Sequence, residues 1–202
     1  MIGLIKRLLG LPTTSADYLK RGDWHMELGD MDKAVAEYST AVELDPSNAV
    51  AHCKLGLAKL ESDWEGAVRA FDEAIRCNAQ YADAYYHRGI AYRNNGSPWW
   101  FQALADLRRA IQLNPEHANA RVAVGVMKSI EATWDPAKSA LQLQQALAEF
   151  TEAIRLEPAN PVLYEMRANV MEALGDTEGA ERDRGKANEL RTAKECWGDS
   201  GA

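Results

Sequence analysis

Four histidines and three cysteines are the side chains of this sequence best equipped to hold a metal or attack an electrophile. His25, His52, His87 and His117 each lack a second histidine or cysteine three or four residues away, so no helical turn pairs them as metal ligands. Cys53, Cys77 and Cys196 are odd in number and show no paired spacing, as expected of free thiols in a reducing compartment. Cys53 has no histidine one turn away to lower its pKa, which favours structural burial over nucleophilic chemistry. The sequence has no glycine-rich phosphate loop and no Gly-x-Ser-x-Gly elbow, and its carboxylates are scattered at helix-surface spacing. The expectation is a non-enzyme with no catalytic residues, no metal and no cofactor. Binding chemistry remains: basic side chains at Lys20, Lys54 and His87, 34 and 33 residues apart, and rings at Trp99, Trp100, Phe101 and Trp134.

The chain has 202 residues, 47% of them apolar and 26% charged, enough to bury a core. Thirty acidic against 23 basic side chains give a net charge of −7, and such a surface repels phosphate backbones. Nucleic acid is therefore not expected as a partner. Near the start, Ile2, Leu4, Ile5, Leu8, Leu9 and Leu11 are apolar, but Lys6 and Arg7 interrupt them. That order fits neither a signal peptide nor a membrane span of about 20 apolar residues. A cytoplasmic chain is the expectation.

The elements that must position these residues are legible from a repeat. A small residue recurs at Gly22, Gly56, Gly89, Gly125 and Ala168. Alanines recur at Ala34, Ala67, Ala103, Ala146 and Ala180, and again seven residues later at Ala41, Ala74, Ala110, Ala153 and Ala187. Between the two alanine columns lies a bulky one, Tyr38, Phe71, Leu107 and Phe150, and Pro46, Pro115 and Pro158 close three of the units. Small residues let two helices cross closely while the bulky side chain fills the gap beside the crossing. Runs such as Ala34, Tyr38, Ala41, Val42 have helical spacing, and almost nothing reads as a strand. Gly29-Asp30 and Gly175-Asp176 supply tight turns between paired helices.

This order of residues resembles the tetratricopeptide-repeat family, whose signature runs Trp-x2-Leu-Gly-x2-Tyr, then Ala-x3-Phe, then Ala and Pro. The resemblance implies an all-α fold, a right-handed α-solenoid of five antiparallel helix pairs. Its repeats would span residues 15–48, 49–81, 82–117, 118–160 and 161–194, with an amphipathic segment over 1–14 and a flexible tail over 195–202. The fifth repeat carries Arg184 where the ring belongs and Asn188 where valine or isoleucine sat, as in a polar capping helix. The turn inside the third and fourth repeats is enlarged. Ser97-Pro98 and Asp135-Pro136 each read as an N-cap with a first-turn proline, and the fourth repeat should have two helices about one turn longer. Trp99 and Trp134 then sit on that edge, either packing against their neighbours or forming a partner-binding spot.

By the same resemblance the first helix of each pair lines a concave groove. The groove residues are Leu19, Lys20, Lys54, Leu57, Tyr86, His87, Ile90, Arg93, Val122 and Val126, with Ile130 and Met166 beside them. Lys20, Lys54 and His87 either wait for the carboxylate of a partner segment or balance Asp23 and Glu27. The subclass that clamps the C-terminal carboxylates of heat-shock chaperones uses five positions that here read Leu19, Asp23, Lys54, Asp83 and His87, so that clamp is not expected. The implied function is a scaffold or adaptor that binds a protein or peptide segment in the groove. The alternative is a membrane- or complex-associated assembly factor tethered through residues 2–11, which could equally cap the array, fill the groove or touch a membrane weakly. Oligomeric state is left open by the sequence.

Overall fold

The structure, a computed structural model, describes residues 13–134 and 137–198. Residues 2–11 and the Asp135-Pro136 step lie outside the described residues. Among those described there are ten α-helices and one 3-10 turn, with no strand. The chain divides into two compact units, one ending at Leu113 and one beginning at Asn114.

The first unit holds three helix pairs: α1 (Ser15–Glu27) with α2 (Met31–Leu44), α3 (Ala49–Lys59) with α4 (Trp64–Cys77), and α5 (Ala82–Asn94) with α6 (Trp100–Leu113). Within the unit α2 also packs on α3, and α4 on α5. The second unit holds two pairs, α7 (Ala118–Trp134) with α8 (Ser139–Leu156) and α9 (Pro161–Ala173) with α10 (Thr177–Gly198), and α8 packs on α9.

Local chemistry sets the helix ends. Thr14 caps α1 through a reciprocal box: its hydroxyl accepts from the Asp17 amide at 3.2 Å, and the Asp17 carboxylate accepts from the Thr14 amide at 3.1 Å. Asn48, Asp63 and Asn160 cap α3, α4 and α9 in the same sense. Gly29 and Gly175 take φ of 74° and 87° at the turns within their pairs, where a side chain would be strained.

The two columns meet as steric logic requires. A Cβ built on Gly22, Gly56 or Gly125 would lie 2.3, 2.6 or 2.8 Å from the nearest ring atom of Tyr38, Phe71 or Phe150. Where the bulky residue is Leu107 the fit is looser, at 3.0 Å from Gly89, and where it is Arg184 the small residue has become Ala168.

The enlarged turns resolve differently. α7 and α8 have 17 and 18 residues against 13 for α9, so the added residues extend both helices by about one turn. In the third pair they do not extend a helix. Gly96 (φ 89°) leads into a 3-10 turn over Ser97–Trp99, and α6 starts only at Trp100.

Candidate functional site

Leu19, Lys20 and Lys54 illustrate how the first helices place the groove residues of the first unit. Leu19 and Met26 pack against the core formed by Ala34, Tyr38 and Ala58, while Lys20 stays exposed. Lys54 is engaged: its ammonium lies 2.5 Å from Asp23 Oδ1, which also accepts the Tyr38 hydroxyl at 2.7 Å. One carboxylate thus ties α1, α2 and α3 together. Burial, reinforced by the hydrogen bond to Asp23, pushes the Tyr38 hydroxyl well above the usual phenol range. Asp23, Met26, Glu27, Tyr38, Lys54 and Leu57 line a hollow of about 360 Å³.

Further along, the Tyr86 ring meets His87 edge-on at 4.9 Å, and His87 stacks on Phe71 at 6.0 Å. Ile90 is half-buried, and Arg93 donates to the side chain of its neighbour Asn94 at 3.2 Å. Of the three basic residues expected to form a strip, Lys54 is held by a carboxylate and His87 is stacked on a core ring.

In the second unit the long α7–α8 hairpin makes a site that the sequence did not announce. Its extra turn stands over α9 and encloses an apolar hollow of about 430 Å³. Val126 and Ile130 of α7, Leu143 and Phe150 of α8, and Met166 and Val170 of α9 form the greasy walls. The polar lining is neutral: Ser129, Thr133, Ser139 and Asn169. Ser129 and Thr133 already donate to the carbonyls of Gly125 and Ile130, at 3.0 and 2.7 Å. Among the described residues no charged side chain lines the hollow, which suits an uncharged, largely apolar group. Val122 packs beside it, against the same core.

Sequence reasoning also missed a set of ion pairs one residue before the small and bulky columns. Arg21 meets Glu37 at 2.8 Å, Arg88 grips Asp106 through two bonds of 2.7 Å, and Arg167 grips Asp183 at 2.6 and 2.8 Å. Each joins the two helices of one pair. The second pair has Leu55 and Ala70 at these positions. In the fourth, Val124 replaces the arginine and Glu149 is taken by Arg121 at 3.1 Å. The signal was present in the sequence, since arginine in the first column always faces an acid in the second.

Comparison with known proteins agrees with this architecture. The family description "TPR repeat" matches residues 22–63 and 59–96. Human tetratricopeptide repeat protein 6 is 30% identical over 135 residues, which are 66% of this chain and 24% of that protein. The crystal structure of MamA superposes with a TM-score of 0.70 at 24% identity, covering 86% of this chain and 95% of that one. YrrB, described as a TPR protein with an unusual peptide-binding site, gives 0.64 at 22% identity, covering 88% and 87%. The chain carries TPR repeats over residues 22–96 and shares the fold of tetratricopeptide-repeat proteins over most of its length. It spans about a quarter of the length of the curated relatives it matches, 24% and 22% for the first two.

Within this repeat frame the remaining chemistry-bearing residues have structural surroundings. Trp64 donates its indole N–H to the Ala91 carbonyl at 3.1 Å, and Trp100 is buried. Trp99 stacks on Tyr92 at 5.3 Å and leans on Trp64 at 5.6 Å, whereas Trp134 ends α7 more than half exposed. His25 is buried against the edge of Trp24, and His52 contacts the Pro46 carbonyl through Nε2 at 3.0 Å. Among the described residues no group of three His, Cys, Asp or Glu gathers as a metal site. No described helix is long and apolar enough to cross a membrane.

Cys53 is buried, and burial pushes its thiol up to about 11, with Asp83 adding to the rise against the Tyr81 hydrogen bond that opposes it. Cys77, only half-buried, approaches the Pro46 carbonyl. At pH 8 iodoacetamide should alkylate Cys77 at least about tenfold faster than Cys53, because so little Cys53 thiolate is present. Peptide mass spectrometry of a time course reads the two sites separately, and equal rates would refute the burial argument.

Proposed function

We propose that this chain is a non-catalytic, cytoplasmic interaction adaptor that holds a partner segment along its first helices. The reading is carried by the hollow between α7, α8 and α9, whose size and uncharged walls match an apolar side chain of a helical or extended peptide. Repeat arrays use the concave side of stacked first helices as binding surface, and Val126, Ile130 and Met166 occupy such positions. The peptide-binding site described for YrrB supports the same class of ligand.

A chaperone-type carboxylate clamp is not the mode proposed. The one lysine among the five clamp positions, Lys54, already holds the carboxylate of Asp23, and Asp23 and Asp83 put negative charge where an acidic tail would dock.

The test is quantitative affinity capture from the native host with the parent chain, with Ile130→Asp and with the pair Tyr86→Ala/Ile90→Asp. Ile130 is exposed at the rim, so the fold tolerates the change, but a carboxylate there must be desolvated when an apolar side chain enters. Partners using the hollow should be recovered at least about tenfold less with Ile130→Asp. Full recovery with both variants would overturn the groove reading.

A further inference from the structure

The hollow of the first unit, between α1, α2 and α3, is lined by Asp23, Met26, Glu27, Tyr38, Lys54 and Leu57. Its volume of about 360 Å³ lies within the range of small-ligand clefts, about 300–1,000 Å³. Two donors reach Asp23, the Lys54 ammonium at 2.5 Å and the Tyr38 hydroxyl at 2.7 Å, and both end on the same oxygen, Oδ1. Among the described residues nothing donates to Oδ2. Other acids that tie helices together in this chain behave differently. Asp106 and Asp183 each give both oxygens to one guanidinium, that of Arg88 and that of Arg167. Asp23 therefore keeps half of its accepting capacity open beside a cavity.

Glu27 adds a second open carboxylate. It stands four residues after Asp23 on α1, is exposed, and has no partner among the described residues. Carboxylates one helical turn apart repel each other, and the one lysine in the lining offsets only one of the two acids. Met26 and Leu57, both half-buried, supply apolar wall beside this charge. A group that fits carries positive charge at its end and methylenes along its length. Lysine meets both conditions, but arginine also offers a planar fork whose separate N–H groups serve two carboxylates at once.

We propose that this hollow is a binding site for an arginine side chain of a partner protein. The guanidinium donates to Asp23 Oδ2 and to Glu27, and its methylene stem lies along Met26 and Leu57. Lys54 and Tyr38 hold Asp23 in place before the ligand arrives, which reduces the ordering that binding requires. The site belongs to the first unit, so it holds or fails independently of the apolar hollow between α7, α8 and α9.

The test is methyl NMR of the full chain, following Met26 and Leu57 while Nα-acetyl-L-arginine N-methylamide is added. Both residues should shift saturably, with an affinity that falls as salt is raised. The capped citrulline analogue, which keeps the shape and loses the charge, should bind at least about fivefold more weakly. Capped lysine should bind at least about twofold more weakly, for want of the fork. Glu27→Gln, at an exposed position with no described partner, should leave the fold intact and weaken capped arginine at least about threefold. The absence of a saturable shift at Met26 and Leu57 would overturn the proposal, as would a shift confined to Val126 and Met166 in the other hollow. Citrulline binding as tightly as arginine, or Glu27→Gln without effect, would overturn the charge argument, and lysine binding as tightly would overturn the choice of arginine.

Discussion

Replacing Phe71 by alanine should cost about 3–5 kcal/mol, one of the two largest single-residue losses expected in this chain. The ring has no exposed surface, sits among Ala67, Ala74, Ala84 and Ala91, and fills the space that Gly56 leaves open. Alanines cannot reach into the void, so the cavity stays and the contacts are lost. The partner residue gives the argument a second handle. Gly56→Ala places a methyl 2.6 Å from the ring, an overpacking cost of about 1–3 kcal/mol. In Gly56→Ala/Phe71→Leu the smaller side chain relieves that collision, so the double variant should lose less than the sum of its singles. Urea unfolding of the four proteins measures the coupling, and strict additivity would show that the two columns do not touch as described.

The second large effect is expected at Arg88. Its guanidinium spans Asp106 on α6 and Asp72 on α4, and Asp106 is only 7% exposed. Burial lowers the pKa of Arg88, but the hydrogen bonds and charges of Asp106 and Asp72 together outweigh it and leave the group more strongly cationic than usual. Arg88→Ala strands a buried carboxylate and should cost about 3–5 kcal/mol. Arg88→Lys recovers part of that, because one ammonium cannot make two parallel bonds. Arg88→Met/Asp106→Leu should return close to parent stability or exceed it, since removing both charges also removes their desolvation. Thermal or urea unfolding decides the point. A double variant as unstable as Arg88→Ala would mean that the bridge itself, not the stranded acid, carries the stability.

The helix pairs were readable from sequence because their steric demands repeat: Gly22, Gly56 and Gly125 announce Tyr38, Phe71 and Phe150 in the same order, followed each time by an alanine three residues after the ring. The groove positions were readable only as a list, because a list of cations does not show which of them already has an anion. Lys54 illustrates this, since its partner Asp23 lies 31 positions away on another helix. The hollow under the long hairpin was harder still. Val126 and Met166 were assigned to the groove, yet Leu143 and Thr133 entered only because both helices ran on past the usual turn. The third pair shows the limit from the other side, where a similar enlargement became a 3-10 turn that seats Trp99 on Tyr92.

The lengthened hairpin also says something about how such a chain can change. Gly125 meets Phe150 as closely as Gly56 meets Phe71, although 25 positions separate the first two and 15 the second. The crossing is indifferent to how far the helices run beyond it. New sequence inserted at the tip of a pair therefore adds recognition surface without renegotiating the spine, which makes the stretch between Trp134 and Ser139 a natural graft point for altered specificity.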